Sequence, residues 1–502
     1  METTSNTSNS PLARRSSRTP MGHAVKPLGY VALLLLASVT LVSCLGSSST
    51  ATTHVRGINL VTDSPTLAFE VDTTAVATAS YGNMTPLAAA HPGSHALQVA
   101  GVIPSDLVTQ PTVTYTPFGT PTTDELVDGT SYTVIAYGKT ADPKYLITSS
   151  TELTNAVPDN TIIYQIINAA PNGPPVEVYI SAPEAGVATA TKVGTLNFGQ
   201  STSETSLTVA LPVGQINTGA TLAANITIEL RNPTTGASII APSTITVNEQ
   251  NRILFVVADN IGPGATPVAI DTLVGAVGAA ASGNQLANLT DNAELAFANV
   301  SADSPPYVVI GGLSLQDTLA ASVSFGQKSA YAKVPANNAG TIAAPVSNPT
   351  ALTFISSFAS TPDGSYTEYA VGPFAIVAGV VLADDRRTVP TQGEFRILNA
   401  DASLQFGPNV DIYLAVHGTV LDITAQNTSR PAPNFPGVVY KAATSYTQLA
   451  AGTYDLYFAD TGTSDFILGP LPLVIKNGTI ITYVLVNSPS GTLELLAFND
   501  GR

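Results

Sequence analysis

Apolar and polar residues alternate with a period of two along this chain. Val176, Val178 and Ile180 are separated by Glu177 and Tyr179, and Ile226, Ile228 and Leu230 by Thr227 and Glu229. Such alternation places one face of an extended strand in a core and the other toward water. Two unbroken apolar runs, Ile253 to Val257 and Ile376 to Leu382, predict strands buried on both faces. Between the strands stand turn pairs: Asp128-Gly129, Asn172-Gly173, Asp363-Gly364 and Asn477-Gly478.

A longer period lies beneath the strand pattern. An apolar strand ending in Asn, followed by a short polar or Pro-bearing turn, occurs four times. The four are Arg56-Gly57-Ile58-Asn59, Gln165-Ile166-Ile167-Asn168, Ala296-Phe297-Ala298-Asn299 and Arg396-Ile397-Leu398-Asn399. The Asn residues stand 109, 131 and 100 positions apart, the size of one β-sandwich domain. A second landmark, Gly93-Ser94-His95-Ala96-Leu97-Gln98-Val99, parallels Gly452-Thr453-Tyr454-Asp455-Leu456-Tyr457-Phe458, with Phe198-Gly199 and Phe325-Gly326 on its approach in the middle units. The third is a late strand entered from a polar turn, Gly129 to Ala136 and Gly478 to Leu485.

These landmarks resemble the domain-of-unknown-function family 4397, whose members occur in tandem in secreted and lipid-anchored bacterial proteins. The resemblance is clearest in the second and fourth units, fair in the first and weak in the third. It implies Ig-like β-sandwiches and carries no catalytic residues to transfer. The second unit departs from the pattern by a Thr/Ala-rich insertion near 200 to 245. The expected organisation is all-β: sandwiches at 56–155, 160–273, 292–389 and 393–500. An Ala/Gly linker at 274–291, or a short helix there, separates the second and third.

The start of the chain divides as an export signal does. Arg14, Arg15, Arg18 and Lys26 precede an apolar stretch from Leu28 to Val42, short of a relaxed membrane span. The chain's single cysteine follows, in the order Leu41-Val42-Ser43-Cys44. This resembles the lipobox of bacterial lipoproteins, in which the leader (here 1–43) is cleaved after Ser43 and Cys44 becomes the acylated N-terminus. An uncleaved anchor helix is the alternative, and Met21 is an alternative start. Residues 44–55, rich in Ser, Thr, Gly and Ala, suit a flexible tether. By resemblance to lipoprotein sorting in enteric bacteria, the lack of Asp after Cys44 favours an outer membrane.

Composition agrees with a β-rich body: 11% of residues are charged, too few for solvent-facing helical stripes. Loss of residues 1–43 removes four of 19 basic and one of 35 acidic residues. Fifteen basic against 34 acidic then remain, a net of −19, which repels nucleic acid and anionic headgroups.

Candidate chemistry is sparse. His91 and His95 lie four apart, but Pro92 and Gly93 between them break the helix a zinc pair would need. His54 and His417 read as solvated. Gly138-Lys139-Thr140 echoes a phosphate loop without its earlier glycine, since position 133 is Thr133. Gly-x-Ser-x-Gly and Ser-x-x-Lys signatures are absent. Asp384-Asp385, followed by Arg386-Arg387, reads as a solvated turn with local charge pairing. Asp460 and Asp465 flank a loop of oxygen donors that a calcium ion could use. With no Trp in the chain, Tyr179, Tyr413 and Tyr457 are the candidates for stacking on sugar, or else pack at a sandwich edge with the hydroxyl in water.

The expectation is a non-catalytic, lipid-anchored cell-envelope protein with a structural or adhesive role, needing no cofactor or metal. Its partners would be a membrane, through its acyl chains, and a cell-surface glycan or protein. A substrate-capturing lipoprotein for glycan or peptide is the alternative.

Overall fold

The alternating segments form paired sheets. The computed structural model describes residues 52–106, 112–151, 157–158, 160–181, 190–209, 223–248, 251–262, 268–275, 282–286, 288, 291–311, 317–336, 339–350, 354–404, 409–424 and 431–502. Ser43 and Cys44, the expected cleavage and acylation sites, lie outside the described residues.

In the first sandwich one sheet runs in the order Ala88–Ala90, Thr53–Val61, Thr130–Lys139, Asp142–Thr151. The facing sheet runs Thr74–Ala79, Leu67–Val71, Gly93–Asp106, Thr112–Leu126. Val55, Val61, Phe69, Leu97, Val99 and Val134 fill the space between them. The same plan recurs three times, over 161–286, 293–383 and 393–499. Each repeat surrounds its own apolar core.

The sandwiches are not purely antiparallel. The first strand of each lies parallel to a late one: Thr53–Val61 with Thr130–Lys139, Thr161–Asn168 with Arg252–Asp259, Ala293–Asn299 with Ser365–Val371, and Gly393–Asn399 with Ile480–Asn487. Parallel neighbours need a long crossover. Here the strands of the facing sheet supply it.

The recurring Asn has one physical role in all four units. Each is buried, and its Oδ1 accepts the N–H two residues on, from Val61, Ala170, Ser301 and Asp401, at 3.1 Å in every case. Its Nδ2 donates across the sandwich to a carbonyl of the facing sheet: Ala79 (3.2 Å), Leu196 (3.2 Å), Val323 (3.2 Å) and Val438 (3.0 Å). The side chain turns the chain out of one sheet and pins it to the other.

Core volume is exchanged between matched positions. Gly57 leaves room for the Phe69 ring, whose Cγ would lie 2.1 Å from an added Cβ. In the third sandwich the same two positions, two before and ten after the Asn, hold Phe297 and Val309, both buried.

The sandwiches stack on one another through the sheets that carry the parallel pairs. Ile58, Leu60 and Ile135 of the first pack against Ile167, Leu254 and Val256 of the second. Val300, Tyr369 and Val371 of the third meet Leu398, Val484 and Phe498 of the fourth. Those sheets are therefore covered on both faces, which explains unbroken apolar runs such as Ile253 to Val257.

Three expectations change. Ile376 ends a short 3-10 turn, Phe374–Ile376, and is exposed; the strand is Ala378–Ala383, half-buried rather than enclosed. The Thr/Ala-rich stretch near 200 to 245 is not all insertion. Ala223–Arg231 and Ser238–Asn248 pair as a hairpin of the second sandwich, with Ile226, Ile228 and Leu230 in its core. Within the Ala/Gly segment 274–291, Ser282–Leu286 adds a fifth strand beside Val268–Gly275. Among the described residues no helix is long and apolar enough to cross a membrane.

Candidate functional site

Charged residues that the sequence scatters converge where the sandwiches meet. A crevice of about 470 Å³ is lined by Asp63 and Lys139 of the first, Gly262 of the second, Asp385 and Arg387 beyond the last strand of the third, and Arg502 beyond the fourth. Its walls are tied across the sandwiches. Arg387 donates to the Ser64 carbonyl at 2.6 Å, Asn260 Nδ2 to Asp363 Oδ2 at 3.1 Å, and Arg502 to the Ile261 carbonyl. Thr140 donates its N–H to Asp63 Oδ1 at 2.7 Å. The Gly138-Lys139-Thr140 segment is therefore the end of a strand at the crevice and no phosphate loop.

From the crevice wall, where Asp384 and Arg386 stand, an ionic cluster runs inward and joins the third and fourth sandwiches. Arg396 projects from the sheet of the fourth and donates to Asp384 Oδ1, to the Ala383 carbonyl at 2.6 Å and to Thr482 at 2.8 Å. Asp384 Oδ2 accepts from Thr367 (2.6 Å) and Tyr331 (2.8 Å). Asp500 answers with Lys328 on Oδ1 at 2.5 Å, and with Thr482 and Tyr446 on Oδ2, the latter at 2.9 Å. Arg386 donates to the Asp500 carbonyl at 3.0 Å and to Glu294, and lies 3.8 Å over the Tyr331 ring.

The electrostatics follow from this packing. Burial raises the Asp384 carboxyl above its ordinary range, and the Arg396 charge only partly offsets that. For Arg396 burial would lower the guanidinium; Asp384, together with Tyr446, Tyr369 and Asp500, outweighs it and holds it above its ordinary value. At Glu294 burial opposes ionisation, but the Ser365 hydroxyl and Arg386 prevail and the carboxyl sits below its usual value. Arg56, between the first and second sandwiches, is pulled down to about 10 by burial and then by Arg252, and stays protonated at neutral pH.

The residues singled out from sequence fare differently. Asp384 is no solvated turn residue; its side chain is fully buried beside Arg396, because the turn after Ala378–Ala383 is covered by the fourth sandwich. His95 Nδ1 lies 2.6 Å from Asp72 Oδ2, and His417 Nδ1 lies 2.8 Å from Asp455 Oδ1. Each imidazole is paired rather than simply solvated. Tyr413 and Tyr457 are buried, 1% and 7% exposed, beneath Leu421 and Ile423. Neither offers a free ring face, and Tyr179 carries Arg231 over one face of its ring at 4.3 Å. Asp460 accepts from Thr463 through its backbone carbonyl, and the described residues hold no group of three metal-ligating side chains.

Lys328, Arg396 and Asp500 escaped sequence reasoning. The available signal was Arg396 itself, a charge set between Phe395 and Ile397 in a strand that is buried along its whole length.

The family match fits repeated sandwiches of one kind. The family model named Domain of unknown function (DUF4397) matches residues 53–179 and 407–502, as tandem copies of one domain would. The first match takes in the first sandwich and the opening strands of the second, and the other takes in most of the fourth. The second unit, expected to be among the clearest, is matched only through Tyr179. No curated protein matches the chain. Among solved structures, the Bacillus anthracis TIE protein aligns with 85% of this chain and 75% of its own, at 10% identity and a TM-score of 0.13. A variant of BcpA, the major pilin subunit of Bacillus cereus, aligns with 65% and 99%, at 10% identity and a TM-score of 0.14.

Proposed function

We propose that this chain is a non-catalytic envelope protein, cleaved after Ser43, acylated on Cys44 and held at a membrane, where its sandwiches serve a structural or adhesive role. One observation carries the reading of the body: the buried charges where the third sandwich meets the fourth are spent on fastening the two together. Asp384, Asp500 and Glu294 each face a cation, and that cation comes from across the third–fourth boundary for Asp384 and Asp500. A catalytic acid or base needs an open approach to a reacting atom; these carboxyls are enclosed. The anchor reading rests on the leader pattern and on Cys44 as the sole thiol. More than one acyl chain is what makes such anchoring stable.

The test has two arms. Cys44→Ser should stay unprocessed and take up no labelled fatty acid, while the parent chain incorporates the label. Recovery of the parent protein from medium or cell sap without an acyl chain would refute the anchor. For the body, turnover of any member of a broad substrate panel would overturn the non-catalytic reading.

The crevice favours a second reading, capture of a glycan or peptide. Its walls offer Lys139, Arg387 and Asp385 within one cavity, a mixed-charge surface suited to a ligand with both acidic and polar groups. Retention on immobilised peptidoglycan or polysaccharide, lost in Lys139→Ala/Arg387→Ala, would support it. Equal retention of both chains would exclude the crevice.

A further inference from the structure

We propose that Lys328 and Asp500 condense to a side-chain amide, a covalent tie between the third sandwich and the fourth. Three lysine–carboxylate pairs stand within 2.8 Å among the described residues. Lys144–Asp142 and Lys192–Glu177 have lysine side chains 57% and 44% exposed, so water competes for both partners. Lys328–Asp500 is different: the lysine is 9% exposed, the aspartate not at all, and Nζ lies 2.5 Å from Oδ1. A buried ion pair carries the desolvation cost of both charges. A neutral amide removes that cost and releases one water. Holding amine and carboxyl in one fixed geometry supplies the high effective concentration that the reaction lacks in solution.

The surroundings are arranged for the step. Lys328 Nζ is aimed by the Asn499 carbonyl at 2.8 Å and the Tyr331 hydroxyl at 3.2 Å. Thr482 and Tyr446 both donate to Asp500 Oδ2, drawing electron density from Cγ and holding the negative oxygen that forms on attack. A proton path leaves the amine through Tyr331 to Asp384 Oδ2, 2.8 Å away. Burial, with Asp384 and Asp500 nearby, raises the Tyr331 hydroxyl, so it passes a proton on rather than resting ionised. Arg396 holds Asp384 in place, and its own guanidinium does not compete as a nucleophile because it remains protonated.

The step balances without any other reagent. The Lys328 ammonium gives up a proton through Tyr331 to Asp384, and the free amine attacks Asp500 Cγ. The Nζ–Cγ bond forms and the Cγ–Oδ1 bond breaks. Oδ1 departs as water, carrying the two protons the nitrogen has lost, one of them returned by Asp384. Ammonium and carboxylate become amide and water, and Asp384 ends as it began.

The experiment is the mass of the purified full chain and its tryptic map. The expected mass is short by one water. Trypsin should fail to cut after Lys328, giving residues 253–333 joined to residues 477–502. Lys328→Arg keeps the cation and its pairing but should show its full calculated mass. Asp384→Asn, lacking the proton acceptor, should leave most chains unjoined; complete joining in it would overturn the relay. A parent chain of full calculated mass, cut after Lys328, would overturn the proposal outright.

Discussion

Replacing Asn59 with Ala tests whether the repeated asparagine is the pin it is described to be. Its Oδ1 accepts the Val61 N–H at 3.1 Å and the Ser64 hydroxyl at 3.0 Å; its Nδ2 donates to the carbonyls of Ala79 at 3.2 Å and Pro65 at 3.3 Å. All of this lies out of water, with Asn59, Val61 and Ser64 each at 0% exposure. Truncation leaves the Val61 N–H and two carbonyls without these partners. The Ser64 hydroxyl keeps the Val61 carbonyl, so three groups lose their partner, and at about 1 kcal/mol each the sum is about 3 kcal/mol. A chain of several sandwiches has no single unfolding midpoint, so the assay is native-state hydrogen exchange read by mass spectrometry. Amides of Thr53–Val61 and Leu67–Val71 should exchange roughly a hundredfold faster, since each 1.4 kcal/mol is tenfold. Those of Gly393–Asn399 should not change. Asn59→Asp, which sets a carboxylate against two carbonyl oxygens, should be worse than Ala. Exchange within about threefold of the parent chain in Asn59→Ala, or a milder effect of Asp, would refute the bracket.

Gly57→Ala should destabilise the first sandwich by about 1–3 kcal/mol through overpacking on Phe69, and Phe69→Val should rescue it, as the Phe297 and Val309 pair implies. Exchange rates in Thr53–Val61 report both; no rescue would disprove the volume trade. Arg396→Met strands Asp384 in the interior and should cost about 3–5 kcal/mol, while Arg396→Met with Asp384→Leu should cost less than the single change. Denaturation monitored at the third and fourth sandwiches decides, and additivity of the two changes would count against the pairing. Burial, then the Asp385 charge, pushes the Glu394 carboxyl from 4.5 up to about 6. A raised carboxyl favours the folded state below pH 4.5 and loses that benefit as pH rises through 6, leaving a penalty of about 2 kcal/mol at neutral pH. Glu394→Gln should therefore stabilise at about pH 7.5 and not at about pH 4; the same gain at both values would contradict the assignment.

Much of the architecture was legible along the chain because a strand's burial is local in its signature. Val176, Val178 and Ile180 must face one side, whatever covers it. The period of the four asparagines was likewise plain, for each closes the same turn. Other features depended on what came to lie against them. Tyr413 alternates as a surface residue would, yet Leu421 and Ile423 cover it. Asp384-Asp385-Arg386-Arg387 looks self-neutralising, yet Asp384 pairs with Arg396 and Arg386 with Glu294, from other strands.

The sequence by itself determined the strands, their turns, the fourfold recurrence and the sulfur at Cys44, because these follow from the chemistry of neighbours in the chain. Only the tertiary structure decided that sheets cover one another outside their own sandwiches, and that Lys328 reaches Asp500 across 172 positions. Burial and charge pairing depend on distance in space, and no local pattern of residues encodes that distance.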